Sequence, residues 1–133
     1  MRLLIIIVCF AFFSAPVNPG PKEDVHETIT SQLQAFLKDD FEKAFTYASP
    51  SIRSMFRSPE NFGRMVRTGY PMVWRYQEVT FLEHRKDSRG RIQDIQILDQ
   101  KGKVHYLRYF LTDTSSGWKI SGVEFLEPAD YSA

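Results

Sequence analysis

The sequence predicts an α+β domain in which amino-terminal helices pack on a curved four-stranded antiparallel sheet. Between residues 24 and 74, apolar residues recur at three- and four-residue steps, which is typical of amphipathic helices. After Trp74 apolar and polar residues alternate, as in half-buried strands. Three four-residue loops that end in glycine separate these strands, and loops this short join antiparallel neighbours. Helices followed by a run of strands indicate the α+β class.

The helical part begins with one long amphipathic helix from Asp24 to about Lys38. A short helical piece at 41–48 and a half-turn at 52–56 follow. The next helix starts at Ser58-Pro59-Glu60, where serine caps, proline presets φ and glutamate suits the positive helix end. Gly69 ends this helix, and Tyr70-Pro71 prevents its continuation.

Four strands are predicted, at about 75–86, 91–98, 103–112 and 118–126. If each loop glycine is a bulge residue, position 87 faces 91, 99 faces 103 and 114 faces 118. One face then collects apolar side chains, which the helices should cover: Val79, Phe81, Ile95, Ile97, Leu107, Tyr109, Leu111, Val123 and Phe125. The other face is half polar and half apolar or aromatic: Leu82, His84, Ile92, Asp94, Gln96, Tyr106, Arg108, Phe110, Ile120 and Glu124. A bulge at Ser121-Gly122 would shift this register locally.

Residues 1–20 are expected to be a signal peptide, which leaves residues 21–133 as one exported domain, periplasmic or secreted. Arg2 is followed by an apolar run from Leu3 to Phe13, the length of a secretory core and short of the roughly 20 residues that span a bilayer. The cleavage site is weak, since a cut after Ala15 places Phe13 where a small residue is wanted. The alternative is therefore that the segment is not cleaved and tethers the domain to the membrane, which is the only membrane contact expected.

The expected mature chain has few side chains suited to binding a metal, another cofactor or a nucleic acid. Cys9, the single cysteine, lies in the apolar run, so disulfides, thiol catalysis and cysteine metal sites are excluded once that segment is removed. Loss of Arg2 leaves equal numbers of basic and acidic residues, which disfavours nucleic-acid binding. The three histidines, His26, His84 and His105, show no metal-ligand spacing, so neither a metal nor another cofactor is expected.

Four segments carry a resemblance to a known family: 41–50, Ser58-Pro59-Glu60-Asn61-Phe62, 65–71 with its Gly-Tyr-Pro, and Trp118-Lys119-Ile120-Ser121-Gly122. They resemble an uncharacterised bacterial family of exported domains of unknown function, numbered 4864. The order of elements is similar to the nuclear transport factor 2-like (SnoaL-like) superfamily. This resemblance implies a cystatin-like cone, a cavity between helices and sheet, and a homodimer through the outer sheet face. It implies no particular activity, since that superfamily contains isomerases, hydrolases and members that only bind.

Two sets of residues are candidates for function. The predicted register aligns His84, Asp94, Arg108 and Glu124 across the sheet, either as a catalytic row or as a cross-strand ion-pair ladder. Tyr70, Trp74 and Tyr109 are candidates for a cavity mouth that suits a small apolar ligand with one hydrogen bond, or for ordinary core packing.

Glu83 and His105 are expected at strand ends, within reach of solvent. The leading hypothesis is a non-catalytic exported domain that forms a homodimer and binds a small apolar ligand or a protein partner. The competing hypothesis is an isomerase or hydrolase that uses His84, Asp94 and Arg108.

Overall fold

The computed structural model describes residue 11 and residues 20–128. Nearly all of the expected signal peptide, including Cys9, lies outside the described residues, as do residues 129–133. Within the described part of the chain, no helix is both long enough and apolar enough to cross a membrane.

Five helices precede the sheet: α1 (Pro21–Leu37), α2 (Phe41–Thr46), α3 (Pro50–Phe56), α4 (Pro59–Gly69) and α5 (Pro71–Trp74). Side-chain oxygens of Asp40, Ser49 and Ser58 accept backbone N–H groups at the starts of α2, α3 and α4. The short helix α5 was not expected. Pro71 does stop α4, but it also occupies the first turn of α5, where its missing N–H costs nothing.

The sheet is antiparallel with strand order β1-β2-β3-β4, which confirms the predicted fold class. Its strands are β1 (Tyr76–Lys86), β2 (Arg91–Asp99), β3 (Val104–Thr114) and β4 (Gly117–Leu126). Gly102 and Gly117 have φ of 83° and 97° in the last two turns, a conformation that glycine adopts without steric cost.

The β2–β3 register is as predicted, but the register of β1 on β2 is different. Lys86, and not Asp87, lies opposite Arg91, and in this register His84 lies opposite Gln93. A further shift between Phe81 and His84 pairs Phe81 with Ile95. The predicted pairing of His84 with Asp94 is therefore wrong. Residues on alternate sides of a strand exchange faces when the register slips by one, so His84 lies on the inner face.

The β3–β4 hairpin contains the bulge that the sequence allowed for. Thr114 pairs with Gly117 rather than with Trp118, and the shift between Phe110 and Leu111 leaves Ser121 as the extra residue. The Ser121 hydroxyl donates to the Phe110 carbonyl at 3.1 Å. Ile120 consequently lies in the core and not on the outer face where it was expected.

The core lies between the inner face of the sheet and the helices. Val25, Ile29 and Leu33 form the fully buried stripe of α1. Rings from the helices form a second layer in which neighbouring centroids lie 5.3–6.3 Å apart: Phe36, Phe41, Phe45, Phe56 and Phe62. This layer leaves an unfilled space between α3, α4 and the β3–β4 hairpin.

Candidate functional site

The unfilled space is a cavity of about 250 Å³ between α1, α3, α4 and the inner face of β3 and β4. Arg57 ends α3 with φ of 73°, in the left-handed region, and this reversal brings α3 beside α4. Among the described residues that line the cavity, the only polar side chains are Gln32, Tyr70 and Tyr109. The wall is therefore almost wholly apolar, as in most small-molecule sites.

The inner end of the cavity carries the polar groups. Tyr109 on β3 is 1 % exposed, and none of the described residues makes a hydrogen bond to its hydroxyl. Burial raises the pKa of Tyr109 above its ordinary value, with a smaller contribution from Tyr70, so this phenol stays protonated. Gln32 on α1 is also buried, and its Nε2 donates to the Ala44 carbonyl at 3.2 Å.

The outer end of the cavity is apolar. Met55 lines it while 69 % exposed, so the cavity opens to solvent at α3. Tyr70 stacks on the half-exposed Phe125 with ring centroids 5.0 Å apart, and its hydroxyl donates to the Val123 carbonyl at 3.4 Å. These contacts hold the Tyr70 ring beside the opening.

Of the three residues named as candidates for a cavity mouth, Tyr70 and Tyr109 line the cavity and Trp74 does not. Trp74 Nε1 donates to Asp39 Oδ1 at 2.8 Å, and the Arg75 guanidinium lies over the indole, 4.0 Å from the ring centroid. Arg75 also donates to both Asp39 oxygens at 2.9 Å and to the Phe36 carbonyl at 2.8 Å. The hydrogen bonds from Trp74 and Arg75 lower the pKa of Asp39. Trp74 thus belongs to a group of hydrogen bonds that connects the end of α5 to the end of α1.

The expected row across the outer face is present in part. Asp94 lies opposite Arg108, and Arg108 lies opposite Glu124. The Asp94 side chain is only 1 % exposed; Arg108 donates to its two oxygens at 2.8 and 3.1 Å, and Arg85 lies 3.9 Å away. None of these residues lines the cavity.

His84 belongs instead to a polar cluster beneath α1, which the sequence did not predict. We call His26, His84 and Gln93 the histidine–glutamine node. His26 Nε2 and His84 Nδ1 lie 3.0 and 2.8 Å from the same atom, Gln93 Oε1. Because an amide oxygen only accepts, both rings donate, which assigns the Nε2–H tautomer to His26 and Nδ1–H to His84.

The Gln93 amide orientation follows from its nitrogen, which donates to the carbonyls of Leu82, Glu83 and Asp94 at 3.3, 3.3 and 2.8 Å. His26 stacks on Phe81 with centroids 3.8 Å apart. Burial lowers the pKa of His26, and only part of that effect is offset by its bond to Gln93. The local signal in the sequence was Gln93, which shares its face of β2 with the buried Ile95 and Ile97.

The remaining candidates lie near strand ends. Glu83 is exposed and pairs with Arg85 at 2.9 Å. His105 donates to Asp99 Oδ2 at 2.9 Å, while Asp99 Oδ1 accepts the backbone N–H groups of Lys101 and Lys103. These bonds, led by that of His105, lower the pKa of Asp99 to about 2. The described residues include no cluster of three or more side chains suited to a metal ion.

The fold and the cavity define an α+β domain with helices on one face of a four-stranded antiparallel sheet and an apolar cavity between the two layers. This chain belongs to the family described as Domain of unknown function (DUF4864), whose model matches residues 20–133. Comparison with curated proteins and with solved structures finds no match.

Proposed function

We propose that this domain binds a small apolar ligand in the cavity and does not transform it. The observation that carries the proposal is an apolar cavity of about 250 Å³ that opens beside Met55. A buried apolar cavity of about 150 Å³ already holds benzene, so a fused two-ring molecule fits the present space. Burial of each ligand CH₂ group contributes roughly 0.8 kcal/mol, which favours the binding of an apolar molecule in this cavity.

The lining of the cavity supports binding rather than catalysis. No Asp, Glu, His, Lys or Arg side chain lines it among the described residues, and general acid–base catalysis uses such groups with a pKa near the working pH. Burial moves the pKa of Tyr109 away from that range. Asp94 and Arg108, which the competing hypothesis needs, lie on the opposite face of the sheet, and His84 faces Gln93.

The order of helices and strands, with a cavity between them, supports a nuclear transport factor 2-like architecture as part of this proposal. The apolar amino-terminal run supports export of the domain. A cavity-binding domain of this kind would then meet its ligand outside the cytoplasm.

Titration with naphthalene, followed by NMR peak shifts of cavity residues, tests the proposal. The matched variants are Val123→Phe, which adds a ring inside the cavity, and Val104→Phe, at a 40 % exposed position outside it. We expect saturable binding to the native protein and to Val104→Phe, and at least tenfold weaker binding to Val123→Phe. If Val123→Phe does not fold by circular dichroism, Ile52→Phe fills the same cavity from α3.

Lack of saturable binding to the folded native protein would overturn the proposal. Equal affinity for the native protein and a folded cavity-filling variant would also overturn it, because the ligand would then sit elsewhere. Native mass spectrometry of the purified protein adds a second readout, the mass of any ligand that copurifies.

A further inference from the structure

We infer that the ligand is a neutral molecule with one polar end, and that it enters the cavity polar end first. This inference rests on the proposed function and specifies the chemistry of its ligand. It excludes carboxylates, phosphates and amines in their charged forms, and it selects molecules such as alcohols, phenols and ketones.

The charge of the ligand follows from the cavity lining. Among the described residues of the wall there is no cationic or anionic side chain to pair with a charged group. A charge moved from water into such a space loses its hydration and gains no partner, which is strongly unfavourable. A neutral polar group loses far less, and it recovers that loss if one hydrogen bond is made.

The position of the polar end follows from Tyr109 and Gln32. Both are nearly fully buried and line the cavity, Tyr109 from β3 and Gln32 from α1. Tyr109 lines the cavity, its hydroxyl makes no hydrogen bond to the described residues, and its raised pKa keeps its proton available for donation. A hydroxyl or carbonyl oxygen of the ligand is the acceptor that this donor fits.

The position of the apolar end follows from the opening. The side chains there are Met55 and Ile52 of α3, with Phe125 stacked against Tyr70 nearby. Methionine is flexible and polarisable, so it accommodates apolar tails of different shape. A ligand that enters tail first would place its polar group against these side chains and leave Tyr109 facing hydrocarbon.

Three probes of similar size test the inference at pH 7.5: naphthalene, 2-naphthol and 2-naphthoate. We expect 2-naphthol to bind about fivefold more tightly than naphthalene, the contribution of one net hydrogen bond, and 2-naphthoate at least tenfold more weakly than 2-naphthol. Tyr109→Phe should reduce the advantage of 2-naphthol over naphthalene to less than about twofold. Nuclear Overhauser contacts should join the Met55 methyl group to the ring that lacks the hydroxyl.

The inference would be overturned if 2-naphthoate and 2-naphthol bind with comparable affinity, or if Tyr109→Phe keeps the full advantage of 2-naphthol. The proposed function would still stand in either case, provided that naphthalene binds. Failure of naphthalene to bind would instead overturn the proposed function. If Tyr109→Phe does not fold, Gln32→Met tests the same polar end and should also reduce the 2-naphthol advantage.

Discussion

Replacement of Gln93 with leucine removes the acceptor shared by two histidines while it leaves the size of the side chain almost unchanged. Gln93 is fully buried, and its amide makes contacts of 2.8–3.3 Å with both rings and with three backbone carbonyls. In Gln93→Leu, the donors His26 Nε2–H and His84 Nδ1–H lose this partner. The node connects α1 to β1 and β2, so its loss weakens the contact between helix and sheet.

The expected loss can be estimated from these contacts. A buried polar group left without a partner costs about 1–3 kcal/mol. The two rings are half-buried, so water replaces part of what they lose, and the new leucine contributes favourable apolar burial. We therefore expect Gln93→Leu to lower the free energy of unfolding by about 2–4 kcal/mol, a large share of the stability of an ordinary domain.

Urea denaturation followed by circular dichroism measures this change as a lower midpoint at an unchanged m value. Gln96→Leu is the matched control, because Gln96 lies on the same strand, half-buried on the outer face. Its expected effect is within about 0.5 kcal/mol of zero. If the two variants lose equal stability, the node does not stabilise the contact between α1 and the sheet.

The same node predicts a pH dependence through His26. Because its pKa is lowered from 6.5 in the folded protein, the unfolded chain binds the proton first as the pH falls. The contribution of His26 to the free energy of unfolding is therefore fully present above pH 6.5. It decreases as the pH falls from 6.5 to the pKa of His26 in the folded protein. Urea midpoints between pH 5 and 8 should show this slope in the native protein and a flatter one in His26→Gln. An equal slope in both would assign the effect to other groups.

Two further predictions concern packing and the outer face. A Cβ at Gly63 would lie 2.7 Å from the Phe41 ring, whereas one at Gly69 meets nothing within 4 Å. Gly63→Ala should therefore lower the free energy of unfolding by about 1–2 kcal/mol, although alanine has the better helix propensity. Gly69→Ala should raise it by up to about 1 kcal/mol in thermal denaturation. A more stable Gly63→Ala than Gly69→Ala would refute the close contact between Gly63 and Phe41. Arg108→Ala removes the bidentate partner of buried Asp94 and should cost about 3 kcal/mol by urea denaturation. Arg108→Met, which keeps the stem, should lose nearly as much, and full stability of Arg108→Met would show that the charge is not needed.

Apart from the short helix α5, the helices and strands of this domain were predictable because their signals are local. Ser58-Pro59-Glu60 carries the cap and the proline that start α4 at Pro59, and the loop glycines specify the hairpins. The β2–β3 register followed from its turn, where the Asp99 N–H bonds to the Lys103 carbonyl as the predicted turn requires. The pairing of Asp94 with Arg108 followed from that register.

Only the tertiary structure decided which face His84 occupies and where a cavity remains. The register that places His84 opposite Gln93 leaves no mark in the strand itself, since it depends on how β1 packs against β2 and α1. Trp74 was a reasonable candidate because its side chain is an aromatic ring with one polar atom, but that atom donates to Asp39, a residue far away in the chain. A cavity has no sequence signal of its own, because its volume is what remains when α3, α4 and the sheet have each packed as closely as their side chains allow.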